Sequence, residues 1–216
     1  MDRSLNNYAM IDLKNIKNII LDLGRVILEI NLDNTIDTFK EFGFPHLEEL
    51  DIVFSKFPFF RQFELGLISP EQFISEVRKI SKNDPPDEVI VEAWNSMIGG
   101  FFECSIPLIQ RLGKKYRMFL LSNTNAIHEK EYNNRLKKDH GIENLSVLFE
   151  KAYYSHDLHL SKPDPEIFKY VLNHHGLVPE ETLFVDDILI HVESATKLGI
   201  RTFHLADPLK FTDIFS

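Results

Sequence analysis

Short apolar runs, each ending in polar or charged residues, alternate along this chain with stretches of helical periodicity, and this alternation restricts the fold more than any other feature. Asn18 to Leu23 (Asn-Ile-Ile-Leu-Asp-Leu) stops at Gly24, and Arg117 to Leu121 stops at Ser122-Asn123-Thr124-Asn125. Thr182 to Val185 stops at Asp186-Asp187, and Ile200 to Leu205 stops before Asp207-Pro208. Runs of this length bounded by turn and cap formers read as buried strands. Lys151 to Tyr154 is a weaker strand candidate. Between them Ile106 to Lys114, Ile127 to Lys138, Glu166 to His174 and His191 to Leu198 read as helices, with Gly199 closing the last as a C-cap. The pattern predicts a doubly wound α/β fold: a parallel sheet, helices on both faces, and a ligand site at the carboxyl ends of the strands.

One segment breaks the rhythm. From about Leu32 to Glu103 no strand is expected, only amphipathic pieces at Thr35 to Phe42, Leu47 to Phe54, Pro70 to Ile80 and Glu88 to Met97. Ser69-Pro70-Glu71-Gln72 offers an N-cap, a Pro at the first helical position and a capping box. The expected organisation is an α/β core of residues 1–32 and 104–216 with a helical cap of residues 33–103. Because the cap follows the first strand, it must emerge at the carboxyl edge of the sheet, over the expected site. The aromatic run Phe54, Phe57, Phe59, Phe60 and Phe63 is expected to build the cap's own core, with some rings facing the substrate pocket.

Charge narrows the function. Thirty-three acidic residues against 24 basic ones leave a net charge of −9, and the basic residues are scattered. A nucleic-acid binder needs clustered Lys and Arg to displace counterions, and an acidic surface is repelled by anionic membranes. No apolar run approaches the ~20 residues that span a bilayer, and Met1 to Asn7 is too polar for a signal peptide. The lone Cys104 suits a reducing compartment. A cytoplasmic protein is expected, with neither nucleic acid nor membrane as a partner.

In such a sheet the polar strand ends converge. Asp22, Ser122, Asp186 and Asp187 would meet Lys162 from the loop that opens the Glu166 helix. Carboxylates at a strand edge suit Mg²⁺, which takes one or two carboxylates with water and phosphate completing its octahedron. Ser122 and main-chain N–H groups can hold phosphate oxygens, Lys162 can neutralise developing charge, and an aspartate can attack phosphorus. Taken singly, Asp186-Asp187 and Ser122 are also plausible helix caps, and Lys162 a solvated loop charge. Asp22 is harder to dismiss, because a carboxylate inside an apolar strand is costly to bury without a partner.

These residues fall in four motifs, Ile-Ile-Leu-Asp22-Leu-Gly24-Arg25-Val26, Phe-Leu-Leu-Ser122-Asn123-Thr124-Asn125, Ser161-Lys162-Pro163-Asp164-Pro165-Glu166 and Leu-Phe-Val-Asp186-Asp187. In that order, and over nearly the whole chain, they resemble the haloacid dehalogenase (HAD) superfamily of hydrolases. Glu64-Leu-Gly66-Leu-Ile-Ser-Pro resembles a recurrent stretch of the helical cap in members whose cap lies between the first two motifs. The resemblance implies Asp22 as nucleophile and Lys162 and Ser122 as phosphate ligands, with Asn123 and Arg25 as further substrate-binding candidates. It implies Mg²⁺ held by Asp22, the Gly24 carbonyl, Asp186 and Asp187. The substrate would be a small phosphorylated metabolite.

The chain departs from the pattern where most family phosphatases carry a second aspartate, the general acid and base two residues after the nucleophile; here Gly24 stands. Such a group contributes ~10²–10⁴ in rate, so its absence should penalise poor leaving groups most. The Asp-Leu-Gly-x-Val form resembles the sugar 1-phosphatase-like members, whose anomeric oxygen leaves easily. Glu29 is a conceivable replacement acid, though an exposed hairpin position suits it better. Arg25 either binds phosphate or obstructs the entrance. His191, at a position often Asn in relatives, is expected to weaken the groups orienting Lys162 and the acids. His156 with His159, and His174 with His175, lack the companions of a metal site. The rival readings are a catalytically weakened protein that binds a phospholigand or partner, and a metal-independent 2-haloacid dehalogenase.

Overall fold

The computed structural model describes residues 11–43, 56–207, 211 and 213–215. The expected Leu47–Phe54 helix, and Phe54 with it, lie outside them.

Five strands, β1 (Asn18–Leu21), β4 (Arg117–Ser122), β5 (Lys151–Tyr154), β6 (Thr182–Asp186) and β7 (Arg201–His204), form one sheet in the order β5-β4-β1-β6-β7. All neighbours are parallel, with Leu21 in register with Leu120 on one side and Val185 on the other. The weaker candidate is thus a full strand at the sheet edge. Strand order reverses at β1, and the crevice of an open α/β sheet lies at such a reversal. Apolar residues bury both faces: Ile19, Leu21, Leu120 and Val185 on one side, Ile20, Phe119, Leu121 and Phe184 on the other. The helices α5 (Ser105–Leu112), α6 (Ala126–His140), α8 (Pro165–His175) and α9 (Leu189–Thr196) flank it, with a single turn, α7 (Ser155–Leu158), after β5. Asn125 caps α6 through His128 N and Asp164 caps α8 through Glu166 N. The last helix stops two residues earlier than expected, at Thr196, and Gly199, with φ of +82°, closes the following turn.

The segment from 32 to 103 holds α1 (Leu32–Glu41), α2 (Phe59–Glu64), α3 (Pro70–Ile80) and α4 (Asp87–Asn95). The capping box of α3 is present, with Ser69 Oγ accepting from Gln72 N and Gln72 Oε1 accepting from Ser69 N. Phe39, Phe60, Phe63, Phe73 and Trp94 pack into an aromatic cluster distinct from both faces of the sheet. The expectation that this segment lacks strands is corrected: β3 (Ile98–Phe101) pairs antiparallel with β2 (Leu28–Ile30). This two-stranded ladder joins the chain entering the helices to the chain leaving them. Between β1 and β2, Leu23 O accepts from the amides of Ile27 and Leu28, winding the chain into a tight turn with Arg25 at φ of +56°.

Candidate functional site

The strand ends meet as the topology requires. Asp22 directly follows β1 and extends its ladder, its N–H donating to Val185 O at 2.9 Å. Lys162 reaches in from the loop before α8, its side chain 1% exposed. Its ammonium donates to Asp22 Oδ1 at 2.6 Å, Asp186 Oδ2 at 2.8 Å and Leu121 O at 2.8 Å, so all three of its protons have acceptors. Asn123 holds the backbone of that loop, its Oδ1 accepting from Lys162 N at 3.0 Å and its Nδ2 donating to Lys162 O at 2.9 Å. The amide expected to bind substrate is therefore engaged in placing the lysine.

Asp186 ends β6, fully buried. Besides Lys162 it accepts from Ile188 N at 2.8 Å, and His191 Nδ1 lies 3.1 Å from both its oxygens. The expectation that His191 weakens the surroundings of the acids is corrected: the imidazole is a direct partner of Asp186. Asp187 faces outward to the Arg25 guanidinium, Nε to Oδ2 3.5 Å. Arg25 is half exposed and sits at the mouth, at the rim of the site.

Electrostatics follow burial and neighbours. Burial pushes the Asp22 carboxyl up to about 7; Lys162 pulls the other way, and Asp186 and Asp187 add to the rise. Burial and the charge of Asp186 raise Asp187. Burial also acts on Asp186, yet Lys162 and His191 prevail and hold it well below the usual carboxylate range. Burial opposes the Lys162 ammonium, but Asp186 and Asp22 together outweigh it and raise its pKa.

Asp22, Asp186 and Asp187 each offer an oxygen within 4.8 Å of the other two, the one such group among the described residues. Three carboxylates share one internal ammonium, with Arg25 meeting Asp187 from the rim, so carboxylates outnumber cations, a donor set that fits a hard divalent cation. Asp22 and Asp187 are the two whose protonation is favoured, chiefly by burial and then by the neighbouring carboxylates. Gly24 lines the same cavity.

That cavity, about 430 Å³, has Asp22, Asp187, Ser122 and Lys162 at its floor and Ile36, Phe39, Phe60 and Trp94 in its walls. Its size is that of a small-molecule site. Asn125 and Thr35 in the walls are satisfied internally: Asn125 Oδ1 accepts from Trp94 Nε1 and His128 N, and Thr35 Oγ1 donates to Ala93 O. Side chains alternate along β2, so Leu28 and Ile30 face the cavity while Glu29 is exposed on the opposite side. His156 is engaged with Glu129 Oε2 and Thr124 O, and His159 with Leu65 O.

Glu64 also lines the cavity, a charged residue to which the four motifs give no role. Its signal was the stretch Glu64-Leu-Gly66, whose glycine has a steric cause: at φ of +64°, a Cβ there would lie 2.0 Å from His156 O.

A haloacid dehalogenase-like hydrolase family model matches residues 109–205. A HAD family enzyme of Bacteroides thetaiotaomicron is 36% identical, with a TM-score of 0.81 over 88% of this chain and 93% of that one. The same enzyme has been solved in complex with magnesium and inorganic phosphate (36% identity, TM-score 0.78, the same shares of both chains). A HAD-like family hydrolase structure from Porphyromonas gingivalis is 28% identical, with a TM-score of 0.77 over 88% of this chain and 90% of that one. The D-ribitol-5-phosphate phosphatase of B. thetaiotaomicron is 28% identical over 193 residues, 87% of this chain and 91% of that protein. The chain belongs to the haloacid dehalogenase-like hydrolases and is an enzyme of that class. No helix among the described residues is long and apolar enough to cross a membrane.

Proposed function

We propose that the protein is a Mg²⁺-dependent phosphatase of a small phosphorylated metabolite, working through an aspartyl phosphate on Asp22. The observation that carries this reading is the Asp22–Lys162–Asp186 cluster with Asp187 beside it, a site whose carboxylates outnumber its cations at the foot of a small-molecule cavity. The magnesium and phosphate complex of the B. thetaiotaomicron enzyme supports it.

Asp22, Asp187, Asp186 and the Gly24 carbonyl would hold Mg²⁺, which when bound offsets repulsion between the carboxylates and a phosphate dianion. Asp22 attacks phosphorus; an O–P bond forms to its carboxylate as the ester O–P bond breaks, and the leaving oxygen takes a proton. Water then cleaves the aspartyl phosphate, releasing phosphate and restoring Asp22. Ser122 receives phosphate oxygens, and Lys162 balances the charge that develops on them while keeping Asp22 aligned. Asn123 contributes by fixing Lys162, and Arg25 meets the substrate at the mouth. Residues 33–103 act as the cap over residues 1–32 and 104–216, a division supported by the separate aromatic core of the inserted helices.

The narrower substrate reading is a sugar 1-phosphate, supported by Gly24, since an anomeric oxygen needs little help to leave. The D-ribitol-5-phosphate phosphatase acts instead on a primary alkyl phosphate. Phosphate release with Mg²⁺ from sugar 1-phosphates, sugar 6-phosphates, an alditol 5-phosphate and acyl phosphates separates the two; preference for 6-phosphates contradicts the narrower reading. Asp22→Asn is expected to abolish turnover of an activated aryl phosphate while the protein stays folded. Persistent Mg²⁺-dependent turnover in that variant, or full activity on a 2-haloacid in EDTA, sinks the mechanism.

A further inference from the structure

Three carboxylates line the cavity, and two of them, Asp22 and Asp187, belong to the anionic cluster at its floor. The third, Glu64, enters from the inserted helices at the C-terminal end of α2, and its carboxylate feels the charges of Lys162 and His191 at the same cavity. Its side chain is 28% exposed and pairs with Arg61.

Several contacts pin this end of α2 to the strand ends. Ser155 Oγ donates to Glu64 O at 2.8 Å, His159 Nδ1 lies 2.7 Å from Leu65 O, and Arg61 donates to Ser161 Oγ. Gly66 lies so close to His156 O that no side chain fits between them. The carboxylate is thus positioned relative to Lys162 by the backbone on both sides. Burial raises its pKa; Arg61 opposes, as do His191 on α9 and Lys162.

Resting on the phosphatase reading above, we propose that Glu64 performs the proton transfers for which Gly24 has no side chain. As a carboxylic acid it gives its proton to the leaving oxygen while the ester O–P bond breaks and Asp22 takes the phosphoryl group. As a carboxylate it then takes a proton from the water that attacks the aspartyl phosphate, which returns it to the acid form.

Glu64→Gln keeps the shape of the side chain and removes the transferable proton. Expected is a loss of ~10²–10⁴ in kcat/KM on a primary alkyl phosphate, against less than about tenfold on 4-nitrophenyl phosphate, whose phenolate leaves unaided, with one limb of the alkyl pH profile lost. Arg61→Gln, which removes the cation opposing protonation, is expected to move that limb to higher pH. Equal losses on both esters in E64Q, no loss on either, or wild-type protein that turns over only the aryl ester would overturn the proposal. Wild type inert toward both esters with Mg²⁺ overturns the phosphatase reading itself.

Discussion

Lys162 Nζ stands 2.6 Å from Asp22 Oδ1 and, at 2.8 Å, also holds Asp186, so one buried ammonium balances two carboxylates from adjacent strands. Removing it takes the ammonium from both and leaves Asp186 with only His191 and the Ile188 amide.

Lys162→Met is therefore expected to destabilise the protein by about 3–5 kcal/mol, the cost of leaving buried charge unpaired. Urea unfolding monitors this loss, and millimolar Mg²⁺ should recover part of it by supplying the missing positive charge. A midpoint unchanged from wild type without metal would show that the aspartates do not depend on the lysine.

His191 touches both oxygens of Asp186. Groups that orient a ligand carboxylate typically contribute 10–100-fold to metal affinity, so His191→Phe should raise the Mg²⁺ needed for half-maximal activity by about that factor. His191→Asn retains a polar side chain and should fall between the two. Calorimetric titration with Mg²⁺ checks the same ranking without turnover.

Gly24 has an ordinary backbone conformation, and a Cβ placed there meets Ile30 Cγ1 at 3.2 Å, a contact a side-chain shift relieves. Gly24→Asp should therefore be tolerated. In a Glu64→Gln background it is expected to restore alkyl phosphate turnover by about tenfold or more, as a second route for the proton. A change of less than twofold would show that the position does not face the leaving oxygen.

His128 lies buried between Trp94 O, 3.0 Å from Nε2, and the Asn125 amide, 3.1 Å from Nδ1. With the Asn125 amide donating to Nδ1, a second ring proton has no acceptor, and burial lowers the pKa from 6.5 to about 4. Between those values the unfolded state binds the proton and the folded state does not. The contribution is full above pH 6.5 and lost as pH falls toward 4, reaching about 3 kcal/mol. Asp22 titrates in the opposite sense, so the measurement is a difference: Tm from pH 7.5 to 4.5 with Mg²⁺, wild type against His128→Gln. Wild type should lose more.

Much of this was legible in sequence because parallel strands buried on both faces leave short apolar runs that end where their side chains reach the crevice. Asp22, Ser122 and Asp186 are readable for that reason, as is the capping box at Ser69. The β2–β3 ladder was not: Ile98-Gly-Gly-Phe101 has the weak pattern of a glycine-containing strand, and its partner Leu28–Ile30 lies some 70 residues away. His191, one turn into its helix, gives no local sign of the aspartate it meets.

The sequence by itself determined the kind of sheet, the carboxylates, hydroxyl and ammonium delivered to its edge, and the helical insertion beside them, because periodicity and chain reversal are local properties. Tertiary structure alone decided the partners: Lys162 between Asp22 and Asp186, Asn123, a substrate-binding candidate from sequence, on the backbone of Lys162, and Glu64 lining the cavity although its place on a polar helix end looks like ordinary surface. Those assignments depend on how loops and an inserted helix return across the sheet, and long-range packing leaves no period in the chain.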